Sequence, residues 1–169
     1  PGPVLRPQPA GDGMPLVTVD VVGRISKGAG NPGSLPDFAG LAWRMQRDAD
    51  AQVPWDVLMV SSAARLVLRP VSSWPSAQYS TLMPLGYRGG VFWLRARMQT
   101  RLGGDGLSIA AVRDRLGAGT VEVAVEQARV GAAFTPLATL CFDRALWGDE
   151  PECDQPFDPT VRSGSQVTL

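Results

Sequence analysis

The sequence has no histidine and only two cysteines, Cys141 and Cys153, among its 169 residues. Histidine is the commonest general base near neutral pH and a frequent metal ligand, so its absence removes Ser–His and Cys–His nucleophile systems and histidine-based metal sites. Two thiols fall short of the four ligands that a structural zinc needs. Neither thiol has a histidine to activate it. Cys141 sits in an apolar, strand-like run and is expected to be a free buried thiol rather than half of a disulfide with Cys153.

Net charge is also missing. Sixteen basic and sixteen acidic side chains cancel, which leaves no overall field to hold the chain on nucleic acid or an anionic membrane, and neither is expected as a partner. No apolar run approaches the roughly 18 residues that cross a bilayer as a helix. The chain opens on Pro1, without an initiator methionine or a charged-then-apolar leader, and reads as a trimmed piece of a cytoplasmic protein. A hydrophobic share of 44% against 19% charged residues is that of a soluble globular fold, at a one-domain length. Oligomeric state is left open.

Along the chain, residues 1–15 carry five prolines and three glycines and are expected as an N-terminal arm. Residues 16–160 form the domain and 161–169 a tail. Leu16 to Ile25 reads as a mostly buried strand. Ser34 and Asp37 are placed as a capping box, so a short helical turn near Pro36 is expected before a strand through Leu41, Trp43 and Met45. Trp55 to Val60 is a buried strand; Ala63 to Leu68 fits either element. Residues 70–90, with three prolines and three glycines, are expected as a long loop. Val91 to Met98 is a strand with Arg95 and Arg97 on its wet face. Leu107 to Leu116 is the clearest helix, capped by Ser108 and stopped by Gly117, with Ile109, Val112 and Leu116 as its apolar stripe. Thr120–Gln127 and Phe134–Phe142 make a hairpin. Six or seven strands against one or two short helices, without strand–helix alternation, give a mainly β fold: a closed or nearly closed antiparallel β-barrel.

Two motif readings follow. Gly28-Ala29-Gly30-Asn31-Pro32-Gly33 matches the Gly-x-Gly-x-x-Gly of dinucleotide-binding domains and follows a strand. That motif binds pyrophosphate only where a helix starts within it, and Pro32 and Pro36 argue for a turn instead. The carboxylates Asp37, Asp56, Asp114 and Asp143 are scattered, and nothing in their spacing selects a catalytic pair. No catalytic residue and no metal ligand is assigned.

Val22-Gly23-Arg24-Ile25-Ser26, the Gly/Pro turn, Asp37-x-x-Gly40-x-Ala42-x-Arg44 and Trp55-Asp56-Val57-Leu58 resemble, in order and spacing, the barrel core of the haem-dependent catalases. There an Arg-Phe-Ser strand leads through a Gly-rich turn to Asp-x-Arg-Gly-Phe-Ala-x-Lys-Phe and Trp-Asp-Leu. Gln78 to Leu85 is similar to the family's Tyr-x-Ser-x-x-Pro-Tyr segment, Phe134-Thr135-Pro136-Leu137-Ala138 to its last barrel strands, and Phe157-Asp158-Pro159 to the segment after them. The likeness runs in shortened form from about residue 17 to 160. It implies a haem site in which Arg24 meets a propionate and Ser26 supports the distal residue, with Ser61 near the position of the distal asparagine. The distal histidine and the Arg-x-x-x-Tyr motif of the proximal ligand have no counterpart. The resemblance therefore implies lost peroxide dismutation, since removing an acid–base group costs typically 10²- to 10⁴-fold. Tyr79, Tyr87, Cys141 or a methionine would have to serve as axial ligand.

Two expectations result. In one, a catalase-like barrel without efficient catalase activity, peroxidase-like if an enzyme at all, keeps a pocket for haem or another flat apolar ligand whose carboxylate meets Arg24. Its cofactor-binding residues are Arg24, Ser26, Ser61 and Tyr79. In the other, the barrel is haem-free, its interior filled by its own side chains, and it serves as a scaffold or interaction domain with Arg24 buried against Asp37 or Asp56.

Overall fold

Val121, Val123 and Val125 are fully buried along one face of their strand while Glu122 stands exposed on the other, and this period of two repeats around the molecule. The computed structural model describes residues 3–8, 14, 18–32, 35–45, 54–103, 106–146, 148, 150, 153, 156–160, 162 and 167–168. Its strands are β1 (Val4–Pro7), β2 (Val19–Lys27), β3 (Ala39–Met45), β4 (Trp55–Ala64), β5 (Val67–Leu68), β6 (Gln78–Ser80), β7 (Leu85–Tyr87), β8 (Gly90–Met98), β9 (Val121–Arg129), β10 (Thr135–Phe142) and β11 (Val167–Thr168). One helix, α1 (Ile109–Ala118), lies between β8 and β9.

The fold is mainly β and its centre is a closed antiparallel barrel of eight strands in the order β1-β2-β3-β4-β6-β8-β9-β10. Closure comes from β10 pairing with β1, Leu140 opposite Leu5, and from β8 pairing with β9 over the whole run Phe92–Met98. A closed barrel leaves no edge to recruit foreign strands along those pairings. Outside the ring, β5 folds back on β4, β7 pairs with the start of β8, and β11 pairs with β7.

The lumen is filled. Leu41, Trp43, Met59, Tyr79, Leu94, Ala96, Val123 and Leu140 belong to one buried apolar cluster, and register places several directly opposite one another: Trp43 with Val57, Leu41 with Met59, Val123 with Leu140. Each valine, leucine or methionine among them contributes roughly 1.5–3 kcal/mol when fully buried. α1 joins the same core through buried Val112, with Ile109 and Leu116 packed against it. The Ser108 hydroxyl accepts from the Ala111 amide at 3.1 Å, and the Trp74 indole donates to the Ser108 carbonyl at 3.1 Å. The helix start is thereby tied to the short 3₁₀ turn Trp74–Ser76.

Several expectations need correction. Residues 4–7 are not an arm but β1, a wall strand with Leu5 fully buried; Pro3 precedes the strand and Pro7 ends it, so the prolines flank it rather than interrupt it. Residues 35–38 make no helical turn: Asp37 forms an isolated bridge with Val71. Residues 70–90 are not a loop. They hold the 3₁₀ turn, wall strand β6 and β7, strands of three residues each, too short to show a period. α1 runs through Gly117 to Ala118, and Gly119 follows with an extended φ of 169°, so no left-handed glycine stops it. That device appears instead in the β9–β10 hairpin, where Gly131 has φ 77°. Leu16, Ser34 and most of residues 161–169 lie outside the described residues.

Among the described residues the Trp43 indole nitrogen is buried without an acceptor, whereas that of Trp74 has one. Trp74→Phe should therefore cost more than Trp43→Phe, by about 0.5–1.5 kcal/mol, because only the former loses an indole hydrogen bond, the half-buried Ser108 carbonyl keeping the Val112 amide. Urea unfolding of the two variants measures the difference.

Candidate functional site

Cross-strand register on the outer face of β2, β3 and β4 sets three rows: Val22, Arg44 and Asp56; Arg24, Ala42 and Leu58; Ser26, Gly40 and Val60. In the first row Arg44 and Asp56 are direct neighbours and form a bidentate pair, Nε to Oδ1 at 2.6 Å and Nη2 to Oδ2 at 2.8 Å. Asp56 is fully buried and Arg44 nearly so. Hydrogen bonding to Asp56 holds the guanidinium even further above its ordinary range, against the opposing effect of burial.

The pair also fixes a strap from the C-terminal part of the chain. Arg44 Nη2 donates to the Pro156 carbonyl at 2.6 Å, and the Asp158 amide donates to Asp56 Oδ2 at 2.8 Å. Phe157, held on both sides, lies under two cations, with the Arg44 and Arg24 guanidinium carbons 5.4 and 5.6 Å from its ring centre. Arg24 Nη2 donates to the Cys153 carbonyl at 3.2 Å.

Arg24 is thus exposed on the outer wall, not buried, and its partners are Cys153 and Phe157 rather than Asp37 or Asp56. The reason is parity: Val21 faces the core, so Arg24, three residues on, faces out. On one side of Arg24 is a cleft of about 360 Å³ between the outer part of β2, α1 and the segment after β10. Ile25, Val112, Leu116, Phe142 and Leu146 give it an apolar floor, and Arg24, Arg113 and Arg144 stand around it. It exists because β1 pairs with β2 only at Val19 and Asp20, with one further bond from the Val21 amide to Pro3. On the other side is a shallower hollow of about 370 Å³ over Ser26, Gly40, Ala42 and Leu58. Its floor is flat because a Cβ on Gly40 would come within 2.4 Å of Ser26 Oγ.

The four residues expected to share a site are divided by the barrel wall. Arg24 and Ser26 are together on the outside; Ser61 and Tyr79 are together on the inside, paired across β4 and β6. Ser61 Oγ accepts from the Ala39 amide at 3.0 Å and donates to the Arg69 carbonyl at 2.7 Å, a structural bracket between β3 and the chain after β5. Burial pushes the Tyr79 phenol well above its ordinary value, so it stays protonated. Cys141 is half-buried with its thiol also pushed up, by burial and then by Glu122. The arrangement does not fit a tyrosinate-ligated haem: among the described residues the cleft beside Arg24 is lined by no tyrosine or methionine, and Cys153 is the only one with a metal-ligand side chain. Among the described residues no cluster of three or more Cys, Asp or Glu side chains is placed to hold a metal.

The glycine-rich loop also has an assigned anion. The Asp37 carboxylate accepts from the amides of Ala29, Asn31 and Phe38 at 2.7–2.9 Å. These bonds, led by Ala29, lower its pKa against the opposing effect of burial. Backbone amides that would face a phosphate are therefore already committed to the protein's own carboxylate. The residues that sequence reasoning missed are Arg113, Arg144 and the positioning pair Arg44–Asp56. Only the spacing of Arg113 beside the apolar stripe of α1 carried a signal.

No protein-family model matches this chain, and neither a curated protein nor a solved structure matches it. No helix among the described residues is long and apolar enough to cross a membrane. The class defined is a closed eight-stranded antiparallel barrel with a filled lumen and a basic, apolar-floored cleft on its wall.

Asp56→Ala should destabilise the protein by about 3–5 kcal/mol, because Arg44 is left buried without its counter-charge; thermal unfolding measures it. Asp37 has a lowered folded-state pKa, so its contribution is complete above the ordinary carboxylate value of about 3.9 and is lost as pH falls through the folded value. Urea midpoints should show Asp37→Asn as destabilising at neutral pH and the gap to wild type as closing in acid.

Proposed function

We propose that this barrel is a non-catalytic binding protein for a small apolar molecule carrying a carboxylate, taken in the cleft between β2 and α1. The observation that carries the reading is Arg24 standing at the wall of a cleft of about 360 Å³ with an apolar floor, within the range of about 300–1,000 Å³ for small-molecule sites. Arg24 offers a planar fork suited to a carboxylate, and Phe157 and the Cys153 carbonyl restrict its rotamers in advance of binding. The catalase-like order of motifs supports descent from a haem-binding barrel. With the distal histidine and proximal motif missing, the retained function is ligand binding without peroxide dismutation or peroxidase chemistry. Two free cysteines support a reducing, cytoplasmic setting.

A second reading rests on the filled lumen: Trp43, Tyr79, Leu94 and Leu140 leave the interior to the protein's own side chains, as in a scaffold or interaction barrel with no small ligand.

Titration calorimetry with a medium-chain fatty acid, its methyl ester and haemin separates these. The acid should bind at least about tenfold more tightly than the ester, and Arg24→Ala should remove that preference. Leu116→Trp, which fills the cleft from the helix side, should block binding, while Val60→Trp, on the far side of the neighbouring hollow, should not. Equal affinity for acid and ester, or full binding by Arg24→Ala, overturns the carboxylate reading. A haemin Soret shift lost in Arg24→Ala would restore the haem version, and no binding by any of the three favours the scaffold.

A further inference from the structure

The cancelled net charge hides a strong local imbalance. Residues 57–104 contain six arginines, at positions 65, 69, 88, 95, 97 and 101, and no lysine, aspartate or glutamate. They build most of β4 and all of β5, β6, β7 and β8, which is one contiguous flank of the barrel. Among the described residues the flank's one ion pair is Arg95 with Glu126 of β9, at 2.6 Å.

Exposed aliphatic side chains are concentrated on the same flank. Leu66 is 67% exposed, and Val67, Leu68, Met83 and Val91 are each close to half exposed; Val130, in the adjoining β9–β10 turn, is 68% exposed. Contacts show that the turns bearing them converge. Arg65 Nη2 donates to the Ala132 carbonyl at 3.1 Å, its guanidinium lies over the Phe134 and Trp93 rings at 5.2 and 5.9 Å, and its own carbonyl accepts from Ser80 Oγ at 3.0 Å. The β4–β5 turn is thus fastened to the β9–β10 turn and to the end of β6, beside Met83. The β7–β8 hairpin contributes Arg88, held at the tip by two successive left-handed residues, Arg88 at φ 47° and Gly89 at φ 74°.

We propose that this flank docks peripherally on an anionic lipid surface, with Leu66, Val67, Leu68 and Val130 entering the interface and the surrounding arginines meeting the headgroups. Arginine without carboxylate is complementary to an anionic surface, and aliphatic turn tips gain from burial among acyl chains. A nucleic acid fits less well, because single-strand binders stack bases on exposed aromatics and none of the large side chains exposed here is aromatic. Spanning is a different matter: apolar residues fill the lumen and charged ones decorate the wall, the reverse of a barrel whose outer belt faces lipid. β8 and β2 are four strands apart in either direction around the ring, so docking by this flank leaves the cleft beside Arg24 on the opposite side. The inference stands independently of what that cleft binds.

Sedimentation with vesicles of phosphatidylcholine alone, and of phosphatidylcholine with phosphatidylserine, tests the proposal. Binding should be roughly tenfold or more tighter to the phosphatidylserine vesicles, weaken with added salt, and be lost in Leu66→Glu/Leu68→Glu. Arg88→Glu should weaken it with the unfolding midpoint unchanged. Equal or absent sedimentation with both vesicle types, or wild-type binding by the Leu66/Leu68 variant at an unchanged unfolding midpoint, overturns it. So does binding to polyglutamate or to a DNA duplex without binding to vesicles.

Discussion

The ion pair between Arg44 and Asp56 is the constraint on which the surface features of this barrel depend. Two neighbouring strands place the charges in direct register, and burial makes each intolerant of losing the other. A buried pair of this kind adds little net stability over a well-packed apolar pair of the same volume. Its value here is positional. Each partner has hydrogen-bonding capacity left after the bidentate contact, and it goes to main-chain groups flanking Phe157, the Pro156 carbonyl and the Asp158 amide. An apolar pair would hold β3 against β4 equally well and leave that strap unattached. The ring of Phe157 then supports Arg24, and Cys153 accepts from it. One wall of the cleft is in this sense built by a pair of residues outside it.

Most of the barrel was legible from alternation. Where a strand has one buried and one wet face and runs for eight or nine residues, as β8, β9 and β10 do, the period of two is sampled often enough to be unambiguous, and the Ser108 cap and Val112 stripe marked α1 equally well. What was hidden has a common cause. β1, β6 and β7 are three or four residues long, two periods at most, and β1 and β7 are bordered by proline. Their strand character is supplied by neighbours: β1 is held between β2 and β10, and Tyr79 of β6 is fixed by Ser61 and Ala96 across from it. Local propensity is overridden there by tertiary pairing.

The candidate site was less legible than the fold. Arg24 and Ser26 were correctly placed on one face of one strand, because that needs only parity within β2. Whether the face is lumen or exterior depends on which residues of β3 stand opposite, and Arg24 meets Ala42 there while Val21 meets Met45. A partner register is not written in the strand itself. The same ignorance joined Ser61 and Tyr79 to the wrong pair. They do face each other, and they do so inside. Asp37 shows the converse. Its three amide donors come from the loop eight residues before it and from its own successor, a local arrangement that turns a nucleotide-like glycine motif into a self-capped turn.

The charges of the chain carry a further lesson about scale. Summed over the sequence they vanish, and an argument from net charge removes every polyanionic partner. At the length scale that matters for docking, about a Debye length of 8–10 Å, the sum must be taken over one flank of the barrel. On that flank the six arginines of residues 57–104 face no carboxylate from their own segment, and Glu126 offsets only one of them. The acidic residues that restore neutrality belong to other parts of the chain, Asp56 beneath the strap and Asp37 within its loop among them. Those two are consumed by buried main-chain and side-chain partners, whereas Asp20, Asp114 and Glu122 stand exposed on other parts of the barrel. Folding has therefore made the surface uneven: two carboxylates are spent on internal bonds that fix the strap and the β2–β3 loop, the exposed ones stand on other strands and on α1, and the flank built by residues 57–104 presents guanidinium groups with no carboxylate of its own.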